Sequence, residues 1–317
     1  MEATRVGFSR ALLDLGKTNP DVMVLDADLA KSTLTKNFMD KYPERFFDIG
    51  IAEQDMLGTA AGLALAGKIP FACTYGVFIA GRAWDQIRTT ICYGDINVNV
   101  CGMHGGISVG PDGATHQALE EIGLMRVLPN MTVLVPCDSI ESYKATMAAA
   151  NEVVGPTYLR FGREAVPIIT KEEDPFEVGK ANVLTQGNDC AIVACGFMVG
   201  EALDAAKELK EEEGINCRVI NMHTVKPLDE EVVLKAAKEC GAIVTAEEHQ
   251  AATGLGGAVA EFISQKYPVP MKIIGIQDRF GESGQPWELL EEFNLTWKDI
   301  KQGVKRVMKM KREKVGV

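Results

Sequence analysis

Glu53 lies in the run DIGIAEQDMLGTAAGLALAG (residues 48–67), where a short apolar stretch ending at Ile51 meets a helix pattern built of Gly and Ala. An acid there can simply cap the helix, since the unpaired amides and positive dipole end stabilise a carboxylate by about 0.3–1 kcal/mol. A chemical role needs independent support, and a second stretch offers it. In CGMHGGISVGPDGATHQALEE (residues 101–121) five glycines surround His104, Asp112 and His116. A purely structural loop needs glycines for positive φ but has no need of this trio. Imidazoles move protons or donate to hydroxyls near neutral pH, and a carboxylate can orient a hydroxyl. Tyr75 and Phe78, in TYGVFIAGRAWDQIR, follow a strand pattern and can either pack a core or wall a flat ligand. Arg5, Ser32 and Arg163 fall at element ends, where they suit a phosphate as well as surface ion pairs.

These residues are positioned by a regular alternation. A helix pattern over residues 3–17 closes at Gly16 before Asn19-Pro20. The strand VMVLDAD ends on Asp26 and Asp28, a polar helix reaches about Tyr42, and a second strand covers 45–49. Strand IPFACTY, a helix over 80–92, a strand over 96–102, the Gly-rich loop 104–113 and a helix from about Gln117 follow. TVLVP, a helix over 139–151 and PTYLRF complete the first half. Strands alternating with helices in this way predict an α/β fold with a parallel sheet wrapped on both faces. Ligands collect at the carboxyl ends of such strands, which is where Asp28, Glu53, Tyr75 and His104 fall.

The acidic, Pro-containing stretch 164–180 predicts a linker, dividing the chain into domains at 1–163 and 181–317. The second half restarts the alternation, and its GLGG at 254–257 opens a helix, where it serves close packing or an anion.

Composition bounds the rest. The chain has 317 residues and a formal charge of −11, which disfavours nucleic acid as a partner because phosphate backbones need clustered Lys and Arg. The basic tail KRVMKMKREK reads as a solvated helix end. No apolar run is long enough to span a bilayer and MEATRVGF is no signal peptide, so the expectation is a cytoplasmic protein without a membrane partner. Eight cysteines form no CxxC pair and four histidines are scattered, which suits reduced thiols and no metal site.

Taken together, GIAEQ with its Ala/Gly helix, TY-x-x-F…RAWDQIR and GMHGGISVGPDGATHQALE resemble the pyrimidine-binding domain of transketolases. TVKPLDEE (224–231) and TAEEHQAATGLGGAVAE resemble the transketolase C-terminal domain, so the resemblance covers essentially the whole chain. It implies two domains, each a largely parallel sheet with helices on both faces, and a thiamine diphosphate enzyme of the pentose phosphate pathway. Glu53 would hydrogen-bond the aminopyrimidine nitrogen and so promote loss of the thiazolium proton. Tyr75 and Phe78 would stack on the pyrimidine, while Asp28, Leu29 and Ile51 would line the thiazole region. His104 and His116 would contact the donor sugar and help move its protons, and Asp112 would read the hydroxyl beside the carbonyl. Arg5, Ser32, His104 and Arg163 would hold the sugar phosphate.

The GDG…N motif that binds the diphosphate and Mg²⁺ in full-length transketolases has no counterpart here, and the chain begins at Met1 just before the pyrimidine-domain pattern. The expectation is therefore the C-terminal subunit of a split transketolase. A separate N-terminal subunit would supply Mg²⁺ and the diphosphate site, and two chains of each kind would form a heterotetramer through the Gly/Ala helix. Two alternatives share the fold: the beta subunit of a 2-oxo acid dehydrogenase, and a non-catalytic scaffold.

Overall fold

A computed structural model describes residues 1–315 and lays them out on two large sheets and a two-stranded ribbon. The first has seven strands in the order Thr224–Lys226, Thr132–Leu134, Thr157–Arg160, Asn99–Met103, Ile69–Tyr75, Val22–Asp26, Phe46–Asp48. All are parallel except the edge strand Thr224–Lys226. The inner strands are near-continuous apolar runs because both faces are covered. Val24, Phe71 and Cys73 point into a core with Phe8, Leu12 and Leu15 of helix Thr4–Thr18. Leu25 and Ala72 point the other way, toward Met56, Leu57 and Ala60 of helix Glu53–Leu65.

The second sheet has five strands in the order Met271–Ile276, Ile243–Gln250, Cys190–Ala194, Cys217–Asn221, Asn182–Thr185, with only the last antiparallel. Ile192 and Ala194 meet helix Met198–Glu213 and the final helix Trp297–Val315. Ala191 and Val193 meet helices Glu230–Cys240 and Leu255–Lys266 in a core that runs on into the first sheet. Each sheet is thus largely parallel with helices on both faces, the expected class. All eight cysteines are buried and free. Among the described residues no helix is long and apolar enough to cross a membrane.

Several element boundaries differ from expectation. The helix predicted over 80–92 begins at Gly76, breaks after Arg82, and continues as a short turn and a π-helix over Ile87–Cys92. Gly76 at its start packs closely: a Cβ there would sit 3.1 Å from Ala118 and 3.4 Å from the Tyr158 hydroxyl. The helix expected from Gln117 is confined to Glu121–Arg126. The buried Gln117 amide instead donates to the carbonyls of Ile107, Gly110 and Glu282, holding 113–119 as turns. The polar helix before Tyr42 is split into Ala30–Thr33 and Lys36–Lys41 by Leu34, at φ 67°. Within the stretch read as linker, Ala165–Val166 pairs with Glu2–Ala3.

Helix Thr4–Thr18 crosses helix Ser139–Asn151 at Gly7, where a Cβ would lie 1.8 Å from the Ser139 carbonyl oxygen. Gly7→Ala is expected to lower stability by about 1–3 kcal/mol, the usual cost of overpacking a closed contact. Urea unfolding at fixed pH measures it.

Candidate active site

The carboxyl ends of Val22–Asp26, Ile69–Tyr75 and Asn99–Met103 lie side by side, and the residues singled out in the sequence gather there. Asp26, fully buried, organises the first turn beyond its strand. Its carboxylate accepts from the Leu29 amide (2.6 Å) and from the Thr33 and Thr35 hydroxyls (both 2.8 Å). Burial raises its pKa, and these three hydrogen bonds oppose the rise. The turn so held presents Ser32, whose hydroxyl lies 2.7 Å from that of Tyr75.

Arg5 reaches the same place from the first helix, donating from Nη1 to the Ser32 carbonyl (2.8 Å) and to His104 Nε2 (3.0 Å). A guanidinium can only donate, so Nε2 accepts and the imidazole proton is on Nδ1. Nδ1 is buried and has no hydrogen-bond partner among the described residues. Burial, reinforced by the charges of Arg5 and Arg163, pushes His104 down to about 3. Its imidazole is thereby held neutral, with the Nδ1–H directed away from Arg5.

The rings form a wall. Tyr75 and Phe78 stack at 5.8 Å with an interplanar angle of 19°, His104 sits 4.3 Å from Tyr75, and His116 meets Phe78 edge-on at 5.3 Å. Arg163 donates to the Val109 carbonyl (2.8 Å) and to Asp112 (3.0 Å), closing the far side. Burial and the nearby Arg163 charge both lower the Arg5 pKa, as expected where two cations share one corner. Asp28 and Ile51 are exposed and Leu29 half-buried.

Glu53 is the first residue of its helix and 4% exposed, but its side chain does not cap the helix. Oε1 accepts from Arg82 Nη1 at 2.8 Å instead, which replaces the capping explanation. Past Glu53, added Cβ atoms at Gly58 and Gly62 would meet open space, and Ile51 and Leu65 are exposed.

Sequence reasoning missed a buried ionic cluster behind the loop. Arg160 donates to Glu121 (2.5 Å) and to the Glu248 carbonyl (2.8 Å), and the Glu248 carboxylate accepts from the Ser108 amide (2.5 Å). Burial works against the Arg160 charge, but Glu121 and Glu248 more than offset it and its pKa is raised. Charged residues inside apolar strand patterns, such as Arg160 in PTYLRF, were the available signal. The GLGG helix start is filled from within. Glu247 accepts from the amides of Leu255 and Gly256, both at 2.7 Å.

Known proteins resemble this chain over nearly its whole length. Residues 1–168 match the family model for the transketolase pyrimidine-binding domain, and residues 179–300 match that for the transketolase C-terminal domain. The chain belongs to the transketolase family. It is 45% identical over 98% of its length to a Methanocaldococcus jannaschii protein named as a candidate transketolase C-terminal section, covering 96% of that protein. It is 41% identical over 95% of its length to a subunit of a 6-deoxy-6-sulfo-D-fructose transketolase from Clostridium sp., covering 92% of it. A solved structure described as a split gene transketolase, inactive beta4 tetramer, superposes with a TM-score of 0.92 at 48% identity, over 98% of this chain and 100% of that one. Transketolase-family membership makes it a transferase of the thiamine diphosphate class.

His104 makes a testable contribution to stability. With its folded pKa at about 3 and an ordinary value of 6.5, the unfolded chain binds more protons between those limits. Stability is present above pH 6.5 and lost as pH falls toward 3; His223, pushed down to about 4 by burial, adds in the same sense. His104→Gln is expected to flatten the decline. Unfolding midpoints of wild type and variant across that window give the difference.

Proposed function

We propose that this chain is the C-terminal subunit of a two-chain transketolase that moves a two-carbon ketol unit from a ketose phosphate to an aldose phosphate. The observation that carries the reading is Glu53: a buried carboxylate facing the ring of Phe78 across a gap that already accommodates a flat nitrogen-bearing group, the Arg82 guanidinium. The residues therefore fit the pyrimidine half of thiamine diphosphate. Bound there, the cofactor supplies the carbon nucleophile that accepts and passes on the two-carbon unit.

This chain's residues divide the remaining work. Glu53 holds a ring nitrogen and the proton shared with it, and Tyr75 and Phe78 fix the plane of the ring. Asp28, Leu29 and Ile51 edge the thiazole side. His104, with its Nδ1–H unpartnered, donates to a substrate oxygen. His116 and Asp112 face the sugar hydroxyls, and His116 is the group left to move protons there. Arg5, Ser32, His104 and Arg163 receive the anionic end. A relative named for a sulfonated sugar supports an anion-binding end while leaving the anion open between phosphate and sulfonate.

Mg²⁺ and the diphosphate are assigned to a separate N-terminal subunit. The supporting observation is that two relatives matched over nearly their whole lengths are named as a section and a subunit. The open, exposed Gly58–Gly62 face, flanked by Ile51 and Leu65, supports pairing of two such chains in a 2+2 assembly.

Glu53→Gln, assayed in the assembled complex with thiamine diphosphate and Mg²⁺, is expected to lower kcat by roughly 10²–10⁴-fold, the usual worth of a positioned acid–base group. Near-normal turnover would remove Glu53 from its role. Turnover of 2-oxo acids in place of a ketose phosphate and aldose phosphate pair would favour a dehydrogenase beta subunit, and absence of cofactor uptake a scaffold.

A further inference from the structure

Arg82 is the last residue of helix Gly76–Arg82, and its side chain folds back over that helix. Nη1 donates to Glu53 Oε1 at 2.8 Å, and the guanidinium carbon lies 4.1 Å from the centre of the Phe78 ring. Its carbonyl accepts from the Gln54 amide at 3.1 Å, so the residue after Glu53 anchors the backbone from which the side chain swings. The Arg82 side chain is 50% exposed, against 4% for Glu53.

Three features make this more than an ion pair. The guanidinium is planar, cationic and rich in N–H donors. A protonated aminopyrimidine shares all three properties, and the guanidinium engages the two groups assigned to that ring, the Glu53 carboxylate and the Phe78 face. It is also half in solvent, so it can leave without opening a core. Its departure would be unfavourable only if nothing took its place, because Glu53 would remain buried and unpaired.

We infer that Arg82 is a placeholder that occupies the pyrimidine slot of the empty subunit and is displaced by the cofactor. The inference rests on the assignment of Glu53 and Phe78 to thiamine diphosphate. While the slot is empty, Arg82 satisfies the Glu53 charge and covers the ring that would otherwise face water. When the cofactor arrives, the 2.8 Å bond must break, so the apparent affinity is the intrinsic one reduced by the fraction of chains with Arg82 swung away. Arg82 thereby sets how readily the assembled enzyme takes up and loses its cofactor.

The test is calorimetric titration of thiamine diphosphate, with saturating Mg²⁺, into the complex purified through a tag on this chain and stripped of cofactor. Arg82→Gln removes the competitor and is expected to tighten binding roughly 5- to 20-fold. Arg82→Lys keeps the charge but loses the flat fork, and is expected to fall between the two, which guards against a folding defect in the first variant. Unchanged or weaker binding in Arg82→Gln, with wild-type thermal unfolding, overturns the inference and makes Arg82 part of the filled site. Failure of the wild-type complex to take up thiamine diphosphate overturns the functional reading itself, and this inference with it.

Discussion

Arg160 joins the two sheets to the loop that carries most of the polar chemistry. It stands at the end of a central strand of the first sheet, pairs with Glu121 at the start of the helix after the loop, and caps the Glu248 carbonyl in the second sheet. Glu248 in turn holds the Ser108 amide inside the loop. Such a cluster is weak evidence for net stability, because desolvating three charges costs several kcal/mol each before their attraction is counted. Its value is in the geometry. With every member buried, alternative positions of the loop would strand a charge, and His104, Asp112 and His116 inherit the one arrangement that does not. Gly106, where a Cβ would fall 2.2 Å from the Glu248 carboxyl carbon, is required by the same closeness.

The alternation of strands and helices was legible because parallel strands buried on both faces leave short continuous apolar runs bounded by turn residues, between longer amphipathic stretches. The gathering of Tyr75, His104, Asp112, His116 and Arg163 was legible for a related reason, since each falls at a strand end or in the loop beyond one, whereas Arg5 and Ser32 are brought in by helices. What could not be read was local. Leu34 breaks a helix by adopting a left-handed conformation that its residue type does not announce. Gln117 looks like a helix starter, but its amide is taken by three carbonyls, one of them over a hundred residues away. Asp26 reads as an acid at a strand end, and only the folded chain reveals that it is the internal ligand of a turn, as Glu247 is of a helix start.

Glu53 shows how a local rule can give the right position for the wrong reason. A carboxylate at a helix start invites a capping explanation, and the helix does begin there, yet the oxygen is turned toward the neighbouring helix and Arg82. His104 shows the converse. Its type suggests a proton carrier, but Arg5 occupies its lone pair and burial keeps it neutral, so its protonation is set by neighbours nearly a hundred residues away. In both cases the side chain's chemistry belongs to the pair rather than to the residue.

The edge strand Thr224–Lys226 lies across Thr132–Leu134, so the last strand of the first sheet comes from the second half of the chain. On a ribosome, the exposed edge at 132–134 is made some ninety residues before the segment that covers it. Unpaired strand edges are templates for association with other chains. A nascent first half therefore waits with an open edge until three of the five strands of the second sheet have been synthesised. Separating the chain between the two sheets would leave that edge exposed for good.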